Sequence, residues 1–259
     1  MMISPLCDAL EDRLTGSARN WLEAAARAVA ADTAAIHDLF PAVGRCCGRA
    51  PLHLDADEGR VLPPPGWSVA DAARVVLLAA VRPEQAPLAH TLQEVYQAGA
   101  APERRAVLLG LPVLEGVRPE LGGGVVQLVA DALRTHDPNL VGAAVGRYAA
   151  RHLDAAGYRQ AVLKCLFMGV PLAAVAGLDL RADGELARML ADFAHERVAA
   201  GRDVPDDVWP LLARFPEAVD ASGLPAEAES TRPERRAAAR RALARFTSAC
   251  PTPADASHH

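Results

Sequence analysis

The sequence predicts an all-α protein, an irregular helical array or a HEAT-like α-solenoid of about ten to twelve short helices. Three observations lead there. Apolar residues make up 51% of the 259 positions while aromatics supply only 4%, so the core must be assembled from Ala, Leu and Val, which pack closely between helices. Apolar residues recur at helical spacing along most of the chain. Strand-like alternation is hard to find, and no internal repeat of about 40 residues emerges.

Taken in order, helical patterns run near residues 4 to 15, 17 to 31 and 33 to 47, with Trp21, Leu22, Ile36, Leu39 and Phe40 supplying early core contacts. Asp32 or Thr33 caps the third. Gly48 to Gly66 breaks the pattern, because acids and Pro63-Pro64-Pro65 enforce an extended, solvated path; this is the expected surface loop. Ser68 with Asp71 three residues on resembles a capping box and starts a helix through Val81, and Pro83 begins another toward Tyr96. Further helices are expected near 102 to 111, 118 to 134, 140 to 152, 155 to 168 and 184 to 200, with a short one from Pro205 to Phe215 around Trp209. The expected organisation is one helical domain over 1–215, a linker and C-terminal basic helix over 216–250, and a disordered tail over 251–259.

A net charge of −5 and a pI near 5.9 argue against nonspecific nucleic-acid binding, which relies on clustered Lys and Arg to neutralise phosphate. The arginines between Arg232 and Arg245 spread around much of a helix instead of forming one stripe, the pattern of a solvated helix. Five irregularly spaced cysteines fit neither a disulfide framework nor a Cys-x-x-Cys metal site, which points to a reducing cytoplasm. The N-terminus carries early acids and no basic region before an apolar run, and the longest apolar run, Val75 to Val81, is too short to span a bilayer. A soluble protein without a transmembrane segment is expected. Gly122-Gly123-Gly124 lacks the spacing and the following Lys-Ser/Thr of a phosphate loop, and reads as a helix start or a close packing point.

The densest run of ionisable groups lies between Tyr158 and Arg202. At 100° per residue, Leu186, Met189, Leu190 and Phe193 fall on one face of the 184 to 200 helix, and Glu185, Arg188, Asp192, His195 and Glu196 on the other. Arg197 falls inside the apolar stripe, where a guanidinium requires a carboxylate or carbonyls to meet it. Gln160 and Lys164 share one side of the preceding helix, with Phe167 beside them. Upstream, Pro138 restarts a helix and places His136 at a junction.

Here the chain resembles a known family. The run T-H-D-P-N, then YRQAVLKCLF, GVPL, GLD, ELARML, AHER and AAGR, closing on W and LL, is similar to the EboA family, whose members occur in bacterial ebo gene clusters tied to secondary metabolism. The resemblance covers His136 to Trp209 well, and Arg45 to Leu78 more loosely. It picks out His136, Pro138, Gln160, Lys164, Phe167, Asp179, Arg188, Asp192, His195, Glu196 and Arg197. The chain departs from the family's pattern at Asp137, where asparagine is usual, after Pro138, where an aromatic is missing, and at Val198, which stands for tryptophan. The resemblance implies a protein working beside the enzymes of a carbohydrate- or lipid-related small-molecule pathway and its export, and it supplies no reaction.

Three functions are consistent with these residues. A noncatalytic adaptor that positions pathway proteins is the leading one. A small-molecule-binding protein or enzyme would build its pocket from His136, Lys164, Asp192, His195, Glu196 and Arg197, with Lys164 and Arg197 on a phosphate or carboxylate and His195 available for proton transfer. The same residues would otherwise tie helices together as ion pairs. A metal site has only one suitable word, Asp192-x-x-His195, where helical-bundle sites draw ligands from several helices, so neither metal nor cofactor is expected.

Overall fold

A computed structural model describes residues 4–52 and 66–250 of the chain. Among them there is no strand: fifteen α-helices and five 3-10 turns are joined by short loops, with one isolated antiparallel bridge between Pro51 and Ser68. The protein is all-α, as its composition predicts. Most of the expected Gly48 to Gly66 loop, with its three consecutive prolines, lies outside the described residues, as does the 251–259 tail. None of the described helices is long and apolar enough to cross a membrane.

The chain forms two compact units, Met1–Tyr158 and Arg159–His259. The first contains α1 (Ser4–Glu11), α2 (Gly16–Ala31), α3 (Ile36–Cys46), α4 (Val69–Ala79), α5 (Leu88–Ala98), α6 (Ala101–Val117), α7 (Val126–Arg134), α8 (Pro138–Ala144) and α9 (Arg147–His152). Its centre is α4, which is buried almost all round, from Val69 and Ala72 to Leu77 and Leu78. The predicted capping box starts it: the Asp71 N–H donates to Ser68 Oγ at 3.2 Å, and the Ser68 N–H donates to Asp71 Oδ2 at 2.8 Å. Against α4 lies α6, and Gly110 permits the approach, since a Cβ there would stand 2.7 Å from Val75 Cγ2.

Two polar networks are built into this apolar unit. Arg74, 3% exposed, donates from Nε to the Phe40 carbonyl at 3.2 Å and from Nη2 to Glu103 Oε1 at 2.8 Å, which links α4 to both α3 and α6. Burial pushes its guanidinium below the ordinary arginine value, opposed by Glu103 and then Asp71. Asp71 also takes Arg105, whose Nη2 donates to the Gly66 carbonyl at 2.6 Å. In the second network Glu115 accepts from Arg151 at 2.7 Å and meets His152 Nε2 at 2.5 Å. Gly123 packs against that histidine, where a Cβ would sit 3.3 Å from Nδ1, so the glycine run is a close packing point.

Several expected helices are subdivided. The 118 to 134 segment starts as a 3-10 turn over Pro119–Leu121 and becomes α-helical only at Val126, because Gly122 takes φ +41. The 140 to 152 segment divides at Gly146, whose backbone is extended. The helix expected from Pro83 begins at Leu88, after Pro87.

From α10 (Ala155–Met168), whose first turn precedes the boundary, the second unit continues through α11 (Leu178–Arg181), α12 (Gly184–Ala199), α13 (Trp209–Leu212), α14 (Pro216–Ala221) and α15 (Pro233–Ala249). Residues 216–231, expected to link, hold α14 and a 3-10 turn over Pro225–Glu229, and bury Val219 and Leu224. The basic helix α15 buries Ala238, Ala239 and Ala242, and pairs Arg241 with Asp203 at 2.8 Å and Arg245 with Asp206 at 2.9 Å. All five cysteines are free; burial raises the Cys47 thiol to about 11 and the Cys165 thiol to about 12, so both stay protonated near neutral pH.

Candidate functional site

Helix α12 carries four of the six candidate residues, and its start is fixed by Asp183. That carboxylate accepts from the Leu186 N–H at 2.9 Å and from Arg159 at 2.6 to 3.1 Å. The Arg159 hydrogen bonds, and then the Leu186 N–H, hold the Asp183 carboxyl below the usual carboxylate value. A depressed folded value means that this group's stabilisation is present above the unfolded pKa and is lost as pH falls through the folded one. Thermal melts of the wild type and Asp183→Asn, which keeps the capping oxygen, are therefore expected to differ at neutral pH and converge in acid. A gap independent of pH would show that the charge is not its source.

One turn before the end of α12, His195 lies half-buried between that helix and the following segment. Its ring rests on Gly223, where a Cβ would come within 2.9 Å of three ring atoms. His195 Nε2 stands 3.5 Å from Glu227 Oε1, and Arg235 reaches the same oxygen at 3.7 Å. The histidine thus faces a carboxylate that an arginine of α15 shares. Gly223, Glu227 and Arg235 are absent from the sequence-derived candidates, because the stretch that supplies the first two reads as a linker without helical periodicity.

The other candidates divide by what their polar ends touch. Asp192 accepts from Arg188 Nη1 at 2.7 Å, and Arg188 also binds Glu185 at 2.8 Å, so both charges of this exposed face are held along their own helix. Arg197 meets the Asp203 carbonyl at 2.6 Å through Nε, and its guanidinium carbon lies 5.8 Å from the Phe193 ring centre. Glu196 is exposed, and Lys164 on α10 is half-buried; neither forms an ion pair among the described residues. One turn beyond Lys164, Phe167 is 67% exposed and meets Phe193 edge to face at 5.3 Å. Contacts therefore run from the Lys164 side of α10 through Phe167 and Phe193 to Arg197. His136 belongs to the first unit, exposed at the corner between α7 and α8, where Asp137 caps α8 through the Asn139 N–H at 2.8 Å.

Among the described residues no group of three His, Cys, Asp or Glu side chains is placed to hold a metal ion. The arrangement in the second unit offers a cation and an exposed aromatic on α10, beside a helix whose histidine, arginine and one acid are engaged with their own chain.

Comparison with known proteins identifies a family. The family model for EboA, described as a metabolite traffic protein, matches residues 2–213. No curated protein and no solved structure matches the chain. The matched span takes in every candidate residue from His136 to Arg197, and on that span the chain belongs to the EboA family.

Proposed function

We propose that this chain is a noncatalytic accessory protein of an ebo-type secondary-metabolite biosynthesis and export pathway, an adaptor that works in the cytoplasm by presenting a helical surface to other pathway proteins. The observation that carries the proposal is Phe167, 67% exposed beside Lys164, which has no ion-pair partner among the described residues, whereas His195, Asp192 and Arg197 each meet a partner within the chain. A large apolar side chain held in water next to an uncompensated cation suits a partner surface better than a reaction centre. The family's description as metabolite traffic and the five free thiols agree with it.

A second function draws on the same Lys164. With Arg197, whose Nε is held by the Asp203 carbonyl and whose terminal nitrogens form no ion pair among the described residues, it would hold the phosphate or carboxylate of a polar or anionic carbohydrate- or lipid-related metabolite, with Phe167 covering an apolar portion. Affinity capture under mild salt, using proteins encoded beside this chain as prey, separates the two. The adaptor is expected to recover a stable partner, which Phe167→Ser and Lys164→Glu abolish without changing the melting temperature. Repeated failure to recover any such protein, with a co-purifying anionic metabolite instead identified by mass spectrometry, would overturn the adaptor in favour of metabolite binding.

A further inference from the structure

The first unit contains a cleft of about 370 Å³ between the end of α5, the start of α6 and helix α7. Tyr96 lines it while only 2% exposed, and its hydroxyl donates to Asp131 Oδ2 at 3.1 Å. Burial, and then the Asp131 hydrogen bond, push this phenol up to about 12, so it remains a donor at neutral pH. Asp131 Oδ1 accepts from Arg134 Nη2 at 3.0 Å. Both oxygens of the one carboxylate among the described residues that line the cleft are therefore taken.

Arg104 brings a second cation. Its guanidinium carbon lies 5.5 Å from the Tyr96 ring centre, with Nε donating to the Gly99 carbonyl at 2.8 Å and Nη2 to the Gln97 carbonyl at 3.4 Å. These partners are neutral, so they hold the guanidinium in place without cancelling its charge. Nη1 has no hydrogen-bond partner among the described residues, and it is open to solvent. Arg104 and Arg134 both pull against the rise in the Tyr96 value, which sets the two cations around the same hydroxyl. The cleft thus carries two arginines against one engaged carboxylate, in a chain whose net charge is −5. Gln97 and Gln127 line it as well, both exposed, and each carboxamide can donate and accept. We infer that the cleft binds a small hydroxylated anion, a sugar phosphate or a sugar acid, with its anionic group between Arg104 and Arg134 and its hydroxyls on the Gln97 and Gln127 carboxamides. The volume falls within the range of small-molecule sites. The cleft is made entirely from first-unit residues, so this site stands or falls independently of the Phe167 surface.

Isothermal titration of the full chain with glucose 6-phosphate and with glucuronate, against glucose as their neutral counterpart, tests the site at physiological salt, which screens loose surface attraction. At least one of the two anions is expected to bind about tenfold or more tighter than glucose, the span of one charge-assisted hydrogen bond, and the tighter of them names the anionic group. Arg104→Gln is expected to remove most of that preference, but it also unties the end of α5. Arg134→Gln avoids that complication, because Arg134 is 71% exposed and pairs only within its own helix; it is expected to weaken the anion at least about fivefold with the melting temperature unchanged. Absence of binding by either anion, glucose binding as tightly as both, or an Arg134→Gln variant that binds as the wild type does would each overturn the inference. Binding lost in Lys164→Glu but retained in Arg134→Gln would place the anion in the second unit and overturn it as well.

Discussion

Replacing Arg74 by methionine is expected to destabilise the protein by about 3–5 kcal/mol, the range for removing one partner of a buried ion pair. Methionine fills a similar volume and adds apolar surface, so the loss would come from what the guanidinium leaves behind. Glu103 Oε1 would lose its cation at a side chain only 13% exposed, and the Phe40 carbonyl would lose the hydrogen bond it accepts from Arg74 Nε. Glu103 would keep the hydrogen bond from the Ala100 N–H to Oε2 at 2.8 Å, so the start of α6 should remain capped. The double variant Arg74→Met/Glu103→Gln separates the pair's net worth from the cost of orphaning one half. It is expected to recover much of the loss, because a neutral amide is far cheaper to leave without a cation than a carboxylate. Urea denaturation measures both, and a single variant within about 1 kcal/mol of wild type would show that water already screens this site.

The same residue shows where sequence reasoning stops. Asp71 is recognisable as a cap because its partner Ser68 lies three residues away and the capping pattern is local. Nothing local marks Arg74 as the link between α3 and α6, since Phe40 and Glu103 lie 34 and 29 residues away in sequence and neither position follows a periodic rule. The second unit repeats the lesson. The amphipathic pattern of α12 and the misfit of Arg197 in its apolar stripe are both visible in the sequence. The structure answers the misfit with the Asp203 carbonyl six residues on and the Phe193 ring one turn back. The partners of His195 are not legible there, because Gly223 and Glu227 come from a Pro- and Ala-rich stretch whose 3-10 turn leaves no 3.6-residue period. Short-range chemistry survives in the sequence; pairings across long loops require the fold.

Glycines divide along the same line. Gly122 is conspicuous in its run of three, but Gly110 sits inside a good helical pattern, where a glycine would ordinarily weaken α6 by about 1 kcal/mol relative to alanine. Its reason lies across the interface, in Val75 of α4. Gly110→Val is therefore expected to destabilise the protein by about 2–3 kcal/mol, since the new Cβ would already stand 2.7 Å from Val75 Cγ2 and a second branched side chain cannot rotate clear. Both sides of the contact are buried, with Val75 at 0% exposure and Leu111 and Leu114 packed beside Gly110, so relief would require α4 and α6 to separate. The compensating variant Val75→Ala removes the atom in the way. Combined with Gly110→Ala, it is expected to restore most of the stability that Gly110→Ala alone costs, with a coupling of at least about 1 kcal/mol in the double-mutant cycle. Additive effects in that cycle would mean that the helices accommodate the methyl by bending elsewhere, and that the close approach of α4 and α6 does not fix their spacing.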